Sequence, residues 1–178
     1  LIIMPLLALG SDQVAKLRAA SQAYGTVKYY HLDEHRDRPQ TMASILSRVD
    51  NLAQDTTSTT FLFVSPQLIM NNPSVRNCLI RAHSKSILKS VFLDEVHLYV
   101  DHGVSFRDDI AALKDLFFSI LFPPGKPSVH PCFCSMTGSF TKDQVTSVAD
   151  LVGFTIPQSG IQWGSMEDFA RREIEILL

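Results

Sequence analysis

Two adjacent acids and a nearby histidine, Asp94, Glu95 and His97, follow directly on the apolar run Val91–Leu93. A short apolar run of this kind is typical of a buried parallel strand, and ligands of open α/β sheets bind beyond the carboxyl ends of the strands. Paired carboxylates at such an edge suit a nucleoside triphosphatase, because one can hold Mg²⁺ through its waters while the other orients and deprotonates an attacking water. The same acids could instead cap the next helix, so the surrounding sequence has to decide.

The composition is that of an ordinary globular domain, with 178 residues of which 46% are hydrophobic, enough to bury one core. The formal net charge of −2 provides no general attraction to nucleic acid, so such binding depends on backbone donors and a few placed Lys or Arg side chains. An odd count of three cysteines favours reduced thiols inside the cell, in the nucleus or cytoplasm, with the nucleus preferred in a eukaryote. The apolar start, Leu1–Leu7, is too short to span a membrane and lacks a basic leader, so we expect a strand there and no membrane partner.

Strand and helix patterns alternate along the chain. Helical spacing of apolar residues follows a turn and N-cap at Gly10–Asp12, and it recurs after Pro39, after Pro66 and around residues 74–83. An amphipathic stripe then predicts a helix from Ile110 to Leu121, a capping box at Thr141 predicts another, and residues 165–178 form a charged helix. The predicted strands are residues 1–7, 26–30, 61–64, 91–93 and 129–136. This alternation predicts an α/β fold with a mainly parallel sheet of about five or six strands and right-handed crossovers.

Four stretches, in order, resemble the first motor domain of RecQ-type DNA helicases of the DEAD/DEAH-box class. Residues 5–14 are similar to that family's motif Ia, although Met4 replaces the usual serine, and Val64–Gln67 resembles its Val-Ser-Pro-Glu. Asp94–His97, with the sequence Asp-Glu-Val-His, resembles the Asp-Glu-Ala-His of motif II. Residues 135–139 resemble motif III.

A fifth stretch, residues 100–108, resembles the aromatic-rich loop that follows motif II in this family. Gly103, Phe106 and Arg107 keep the family's register, whereas His102 replaces a tryptophan and Asp101 a glutamine. The resemblance implies that this loop couples DNA contact to ATP hydrolysis. The two replacements put that coupling in question more than they do the fold.

The resemblance implies a RecA-like, three-layer fold and an ATP-dependent 3′ to 5′ DNA helicase that uses ATP and Mg²⁺ on single-stranded DNA and duplex junctions. Asp94 then holds Mg²⁺ through water, Glu95 is the general base, and His97 links motif II to motif III through Ser135 or Thr137. His102, Phe106 and Arg107 belong to the coupling loop. The implied nucleic-acid contacts are Gly10, Ser11, Ser65 and Pro66, where backbone N–H groups at helix starts can meet phosphates.

The family's phosphate-binding loop, Gly-x-Gly-Lys-Ser or Thr, is absent from the sequence. We therefore expect a piece of a longer protein, with residues 1–156 as a partial ATP-binding domain and residues 157–178 as a helical extension or linker. A second RecA-like domain of the same chain is the expected partner, and the piece alone should be inactive. The alternative is a non-catalytic RecA-like module that binds nucleic acid or a protein.

Several of these residues also have simpler interpretations. Ser11 and Ser65 could be helix caps, His97 a structural histidine, and Phe106 a core residue beside a surface Arg107. Cys132 and Cys134 lie two apart on a strand and could suggest a metal pair, but no further His or Cys pair at ligand spacing accompanies them, so we predict core thiols. A flavodoxin-like or dehydrogenase-like domain would need a Gly-rich βα turn that the sequence lacks.

Overall fold

In the part of the chain that the structure describes, the central sheet has five parallel strands in the order β2-β3-β1-β4-β5. The computed structural model describes residues 1–5, 7–21, 27–52, 58–101, 113–114, 116, 121, 131–138, 144 and 147–148. The strands are β1 (Ile2–Ile3), β2 (Val27–His31), β3 (Thr59–Val64), β4 (Ser90–Leu93) and β5 (Cys132–Ser135). The predicted α/β class and parallel sheet are thus confirmed.

Helices connect these strands along the chain. They are α1 (Leu7–Ser21), α2 (Pro39–Asp50), α3 (Pro66–Asn71), α4 (Pro73–Ser84) and α5 (His97–Asp101), and a 3₁₀ helix covers Leu32–His35. Three of the helices begin with proline, whose fixed φ suits the first helical position and whose missing N–H costs nothing there. The predicted apolar face of α2 is confirmed, because Met42, Ile45, Leu46 and Val49 are all buried.

The start of the chain differs from the prediction. A strand forms where one was predicted, but it ends at Ile3 and α1 begins at Leu7, so the predicted end of the strand and the turn predicted at Gly10–Asp12 are wrong. Pro5 explains the short strand, because it has no N–H to donate to a neighbouring strand. In the last hydrogen bond from this segment to β3, the Met4 N–H donates to the Val64 carbonyl at 3.0 Å.

The two faces of the sheet are covered by different helices. One face packs in a large core with α2, α4 and the buried leucines 113, 116 and 121. The opposite face has a smaller core in which Val14 and Leu17 of α1 pack against Met4 and Phe63. Chain direction accounts for this division, because right-handed crossovers put helices on opposite faces when they run in opposite directions across a parallel sheet.

On the face of the sheet where α1 packs, the side chains of β5 are not buried. Cys132 and Cys134 are exposed, and Met136, just beyond the strand, is 42% exposed. The prediction of core thiols is therefore wrong. It rested on the usual burial of free cysteine, whereas β5 is the outermost described strand and α1 packs farther along the sheet.

Several predictions concern residues outside the described part of the chain. They include the boundary at residue 156, the helix at residues 165–178, the capping residue Thr141 and most of the stripe between Ile110 and Leu121. Of that stripe, Leu113 and Leu121 are buried as predicted, and Leu116 is buried as well. Among the described helices, none combines the length and apolar character needed to cross a membrane.

Candidate active site at the carboxyl edge of the sheet

The carboxyl ends of all five strands meet at one edge of the sheet. Ile3 pairs with both Val64 and Leu93, and Leu93 pairs with Ser135. The residues that follow β3, β4 and β5 therefore emerge side by side. This places Ser65, the acids Asp94 and Glu95, and Thr137 along the same edge, as the sequence predicts.

Asp94 and Glu95 form a tight corner directly after β4. The Asp94 N–H donates to the Ile3 carbonyl at 3.0 Å, which attaches the corner to the central strand. The Glu95 N–H then donates to Oδ1 of Asp94 at 2.9 Å, and Glu95 has a φ of 49°. A left-handed backbone at a non-glycine residue costs on the order of 1–3 kcal/mol and is characteristic of functional sites. The corner leaves the side chain of Glu95 about one-third exposed, at 32%.

His97 connects this corner to β5. Its Nδ1 is 2.8 Å from Oγ1 of Thr137 and 3.2 Å from Oε2 of Glu95. A protonated Nδ1 can donate to either oxygen, whereas an unprotonated Nδ1 accepts the hydroxyl proton of Thr137. One ring nitrogen thus lies between the acid of one strand end and the hydroxyl of the next.

The backbone reinforces this connection. The Val96 N–H donates to the Met136 carbonyl at 3.1 Å, and the Met136 N–H donates to the Leu93 carbonyl at 2.9 Å. Of the two residues predicted as partners of His97, Thr137 makes the contact. Ser135 is the last residue of β5 and pairs with Leu93. It precedes the segment that brings Thr137 beside the His97 ring.

A second polar cluster, which the sequence analysis missed, lies at the same edge after β2. His31 is 4% exposed, and its Nδ1 is 3.2 Å from Oε1 of Glu34 and 3.4 Å from Oγ of Ser11. Its Nε2 is 3.9 Å from Oδ2 of Asp33. Burial alone would raise the pKa of Glu34, but hydrogen bonds with Ser11 and His31 outweigh it, so this pKa lies below its ordinary value. The sequence feature that could have revealed this cluster is the pair of acids Asp33 and Glu34 just past a strand end, the same pattern as Asp94 and Glu95.

Asp33 joins this cluster to the turn after β3. Its carboxylate accepts the Ser65 N–H at 2.7 Å and the Ser65 hydroxyl at 2.5 Å. The Ser65 oxygen in turn accepts the Leu68 N–H at 3.1 Å and so caps α3. Both donors of Ser65 are therefore engaged within the protein. Pro66, the other predicted nucleic-acid contact in this turn, is buried at the first position of α3.

A cleft of about 430 Å³ opens beside this turn. One wall is formed by Pro5, which follows β1, and another by the 3₁₀ helix with the two residues after it. The third wall is formed by α3 and the residues on either side of it. Polar groups predominate, with Arg36 as the cation. The lining residues are Pro5, Asp33, Arg36, Asp37, Ser65, Gln67, Leu68, Asn71 and Asn72.

Gly10 and Ser11 are the fourth and fifth residues of α1, which begins at Leu7. Backbone N–H groups beyond the first four of a helix are satisfied by carbonyls within the helix, so Ser11 does not present the free amide that was predicted for phosphate binding, whereas Gly10 lies in the first turn. The Ser11 side chain nevertheless reaches the carboxyl edge through its contact with His31.

The coupling residues His102, Phe106 and Arg107 lie outside the described residues. Within the described part of the chain, no group of three or more His, Cys, Asp or Glu side chains is arranged to hold a metal ion directly. A water-mediated Mg²⁺ contact needs fewer direct protein ligands, so this observation does not bear on the predicted role of Asp94.

No protein-family model matches this chain, and no curated protein matches it significantly.

Proposed function

We propose that this chain is part of an ATP-dependent 3′ to 5′ DNA helicase motor of the RecQ type, which couples ATP hydrolysis to binding and unwinding of nucleic acid. The observation that carries the proposal is that one nitrogen of His97 is hydrogen-bonded to Thr137 and lies within ion-pair distance of Glu95, across the ends of β4 and β5. An acid at one strand end that contacts the next strand through a histidine can transmit a change in its charge to that strand.

Glu95 has the position and exposure of a general base. Its Oε2 contacts His97, which restricts the side chain and leaves the other carboxylate oxygen to accept a proton from an attacking water. The neighbouring Asp94 uses Oδ1 to accept the Glu95 N–H, so its Oδ2 is the oxygen that would meet a hydrated Mg²⁺. Mg²⁺ bound with ATP would neutralise the charge that develops on the phosphates.

His97 acts as the positioning residue that reports the state of this acid. When Glu95 takes up a proton, its carboxylate loses the negative charge that attracts the His97 N–H. The ring can then interact more strongly with Thr137, which is 2.8 Å away. A proton transfer at β4 is thereby converted into a changed contact at the end of β5.

The cleft beside Ser65 is the proposed place for a DNA strand. Because both Ser65 donors are engaged by Asp33, phosphate contacts would come from Arg36, Gln67 and the asparagines at the end of α3. Asp33 and Asp37 lie in the same cleft and repel phosphate, so we expect weak, salt-sensitive binding by this domain alone.

Hydrolysis needs groups that this chain does not contain. It has no Gly-x-Gly-Lys-Ser or Thr sequence, and hence no such loop to cradle the β- and γ-phosphates. In the proposed enzyme, other residues of a longer polypeptide and a second RecA-like domain supply the phosphate loop and further cations. The same absence favours one alternative, a non-catalytic module that keeps the fold and binds nucleic acid or protein.

The decisive experiment measures ATP turnover by the full-length gene product, with and without single-stranded DNA. We expect Glu95→Gln to abolish turnover while ATP binding persists, because the amide keeps the shape but cannot accept a proton. Asp94→Asn should weaken Mg²⁺-dependent nucleotide binding instead.

Asp50→Asn is the matched control, since Asp50 ends α2 and lies at the opposite end of the sheet. It should leave turnover unchanged. Wild-type turnover by the Glu95→Gln protein would remove Glu95 from the mechanism. A wild-type protein that binds DNA but has no turnover would instead establish the non-catalytic alternative.

A further inference from the structure

The charged side chains of the described residues are divided between the two edges of the sheet. In a parallel sheet each connecting helix returns the chain from the carboxyl edge to the amino edge, so the last turns of α1, α2 and α4 lie near the starts of the strands. Six exposed cations occupy this amino edge together with one described acid, Asp50. The cations are Arg18, Lys28, Arg48, Arg81, Lys85 and Lys89.

The carboxyl edge has the opposite balance of charge. Its described arginines are Arg36, Arg38 and Arg76, and its five acids are Asp33, Glu34, Asp37, Asp94 and Glu95. The net charge of −2 for the whole chain therefore conceals a local excess of cations at the amino edge. A local potential of this kind attracts polyanions even when the protein as a whole does not.

Helix dipoles explain only part of this excess. Arg18, Arg48 and Arg81 lie in the last turns of their helices, where a cation interacts favourably with the dipole. Each helix end corresponds to about half a negative charge, so three ends offset about 1.5 charges. With Asp50 counted, and also Asp55 from the connection before β3, six cations less two acids leave an excess of four. The dipoles account for less than half of it.

Asp50 is already engaged by one of these cations. Its carboxylate accepts hydrogen bonds from Nε of Arg81 at 3.0 Å and from Nη2 at 2.7 Å. This pairing holds the pKa of Asp50 below its ordinary value. Lys85 contacts only the backbone carbonyl of Asp50, at 3.1 Å. The acid thus neutralises Arg81 and leaves the charge of the other cations in place.

A cleft of about 370 Å³ opens between α2 and β2 at this edge. Lys28 and Tyr30 alternate along β2 and share the face of the sheet that the cleft occupies. Arg48 adds a second cation, and Asn51 adds a side-chain amide. The lining residues are Lys28, Tyr30, Arg48, Val49, Asn51, Leu52 and Thr60. None of these is acidic, in contrast to the cleft beside Ser65, which Asp33 and Asp37 line.

A row of cations beside an aromatic cleft fits single-stranded nucleic acid. Three strand spacings of about 4.8 Å separate β2 from β4, so the row is about 14 Å long and spans about four phosphates at roughly 3.4 Å per nucleotide. An unstacked base can lie against an aromatic ring, whereas the bases of a duplex remain stacked. A membrane surface requires apolar side chains beside the cations, but Met136, the one exposed large hydrophobic residue of the described chain, follows β5 at the other edge.

We propose that the amino edge of the sheet binds single-stranded nucleic acid, with phosphates at Lys28, Arg48, Lys85 and Lys89 and one base against Tyr30. This surface lies opposite the cleft beside Ser65 and does not depend on the proposed helicase activity. Its contribution to affinity is chiefly electrostatic, so binding through it falls steeply as salt is added.

The test measures the fluorescence anisotropy of a labelled oligothymidylate of about 15 nucleotides, titrated with the 178-residue chain at several salt concentrations. We expect a plot of log association constant against log salt to have a slope of about −3, because each of four phosphate contacts contributes about −0.7. Lys28→Gln and Arg48→Gln should each reduce the steepness by about 0.7 and weaken binding about fivefold at low salt. Tyr30→Leu should weaken binding about tenfold without changing the slope, because stacking releases no counterions.

Lys16→Gln is the matched control, since it removes the same charge from the interior of α1, where Lys16 pairs with Asp12 at 2.6 Å. It should bind as the wild type does, and circular dichroism verifies that every variant is folded. A wild-type chain that does not bind the oligonucleotide would overturn the surface, as would an unchanged affinity and slope in Lys28→Gln and Arg48→Gln. Sedimentation with phosphatidylserine vesicles in the absence of oligonucleotide binding would also overturn it, in favour of a membrane.

Arg36→Gln separates this surface from the site of the proposed function. If Arg36→Gln loses binding while Lys28→Gln and Arg48→Gln keep it, the strand lies in the cleft beside Ser65. That result would overturn the amino-edge surface and leave the helicase proposal intact. Loss of the helicase proposal, through normal turnover in Glu95→Gln, would conversely leave oligonucleotide binding at Lys28 and Arg48 unaffected.

Discussion

At the scale of single residues, Asp33 is an unusual carboxylate because it is 8% exposed and is satisfied largely by one other residue. Ser65 supplies two donors to it and at the same time caps α3. This arrangement connects the end of β2 to the turn after β3 and shapes one wall of the cleft. It also explains why Ser65 has no donor left for a ligand.

Ser65→Ala should lower the free energy of unfolding by about 2–4 kcal/mol, because it removes a helix cap and leaves one oxygen of a buried carboxylate without its donor. Urea unfolding of the purified chain measures the change. Ser44→Ala, an exposed substitution inside α2, is the matched control and should alter stability by less than about 0.5 kcal/mol. Equal effects of the two substitutions would contradict the role of the Asp33–Ser65 pair.

The sequence predicted some of these residue positions and missed others for a physical reason. Asp94, Glu95, Ser65 and Thr137 follow strand ends, so the parallel topology alone brings them to one edge. The cluster around His31 depends on which side chains meet across α1, β2 and the 3₁₀ helix. The two acids after β2 are visible in the sequence, but the contacts that join them to His31 and Ser11 depend on three-dimensional packing.

At the scale of elements, α4 ends in a well-defined capping motif without the glycine that usually completes it. The Ser86 N–H donates to the His83 carbonyl at 2.8 Å and the Ile87 N–H to the Ala82 carbonyl at 2.9 Å, which is the Schellman pattern. Ser86 consequently has a φ of 55°. A side chain in this left-handed region costs about 1–2 kcal/mol.

Ser86→Gly should therefore stabilise the protein by about 0.5–1 kcal/mol, the relief of strain exceeding the extra chain entropy that glycine adds to the unfolded state. The same substitution at Ser44, in the interior of α2, should destabilise by about 0.5 kcal/mol. Thermal unfolding of the two variants gives opposite signs if the backbone of Ser86 is the cause. A loss of stability in both would show that the capping turn needs its serine.

Element types were more predictable than element ends. α2, α3 and α4 each begin with a proline, whose fixed φ suits the first helical position, and a helix was predicted in each of these places. The boundary between β1 and α1 was misplaced because Pro5 ends a strand within an otherwise continuous apolar run. The short helix α5 had no predicted counterpart, since it follows the left-handed corner at Glu95, which the sequence does not reveal.

At the scale of the whole molecule, β1 lies in the middle of the sheet, between β3 and β4, and the amine of Leu1 is buried beside it. The Leu1 ammonium donates to the Ser90 carbonyl at 2.9 Å, and burial lowers the pKa of this group from 8.0 to about 6. The unfolded chain therefore binds this proton between about pH 6 and 8 and the folded chain does not. Folding stability should rise with pH across this window and be lost as the pH falls through about 6.

Urea unfolding between pH 6 and 8.5 measures this dependence, with an expected span of roughly 2–3 kcal/mol. A chain extended by one glycine before Leu1 is the matched control, because it carries the charge outward and puts a peptide N–H in its place. The pH dependence of the extended chain should be smaller by that amount. Identical profiles for the two proteins would contradict a buried amine.

The central position of β1 also determines the order in which the molecule can assemble. Its two neighbours are β3 and β4, and the partner of Leu1 is 89 residues away in sequence. During synthesis, β1 must wait for most of the described chain that follows it before both of its neighbours are present. Contacts over such separations make folding slow, and the waiting apolar segment is exposed to aggregation in the meantime. β2 and β3 are joined by a shorter connection, so they can pair first. β3 then provides the first of the two strands with which β1 pairs.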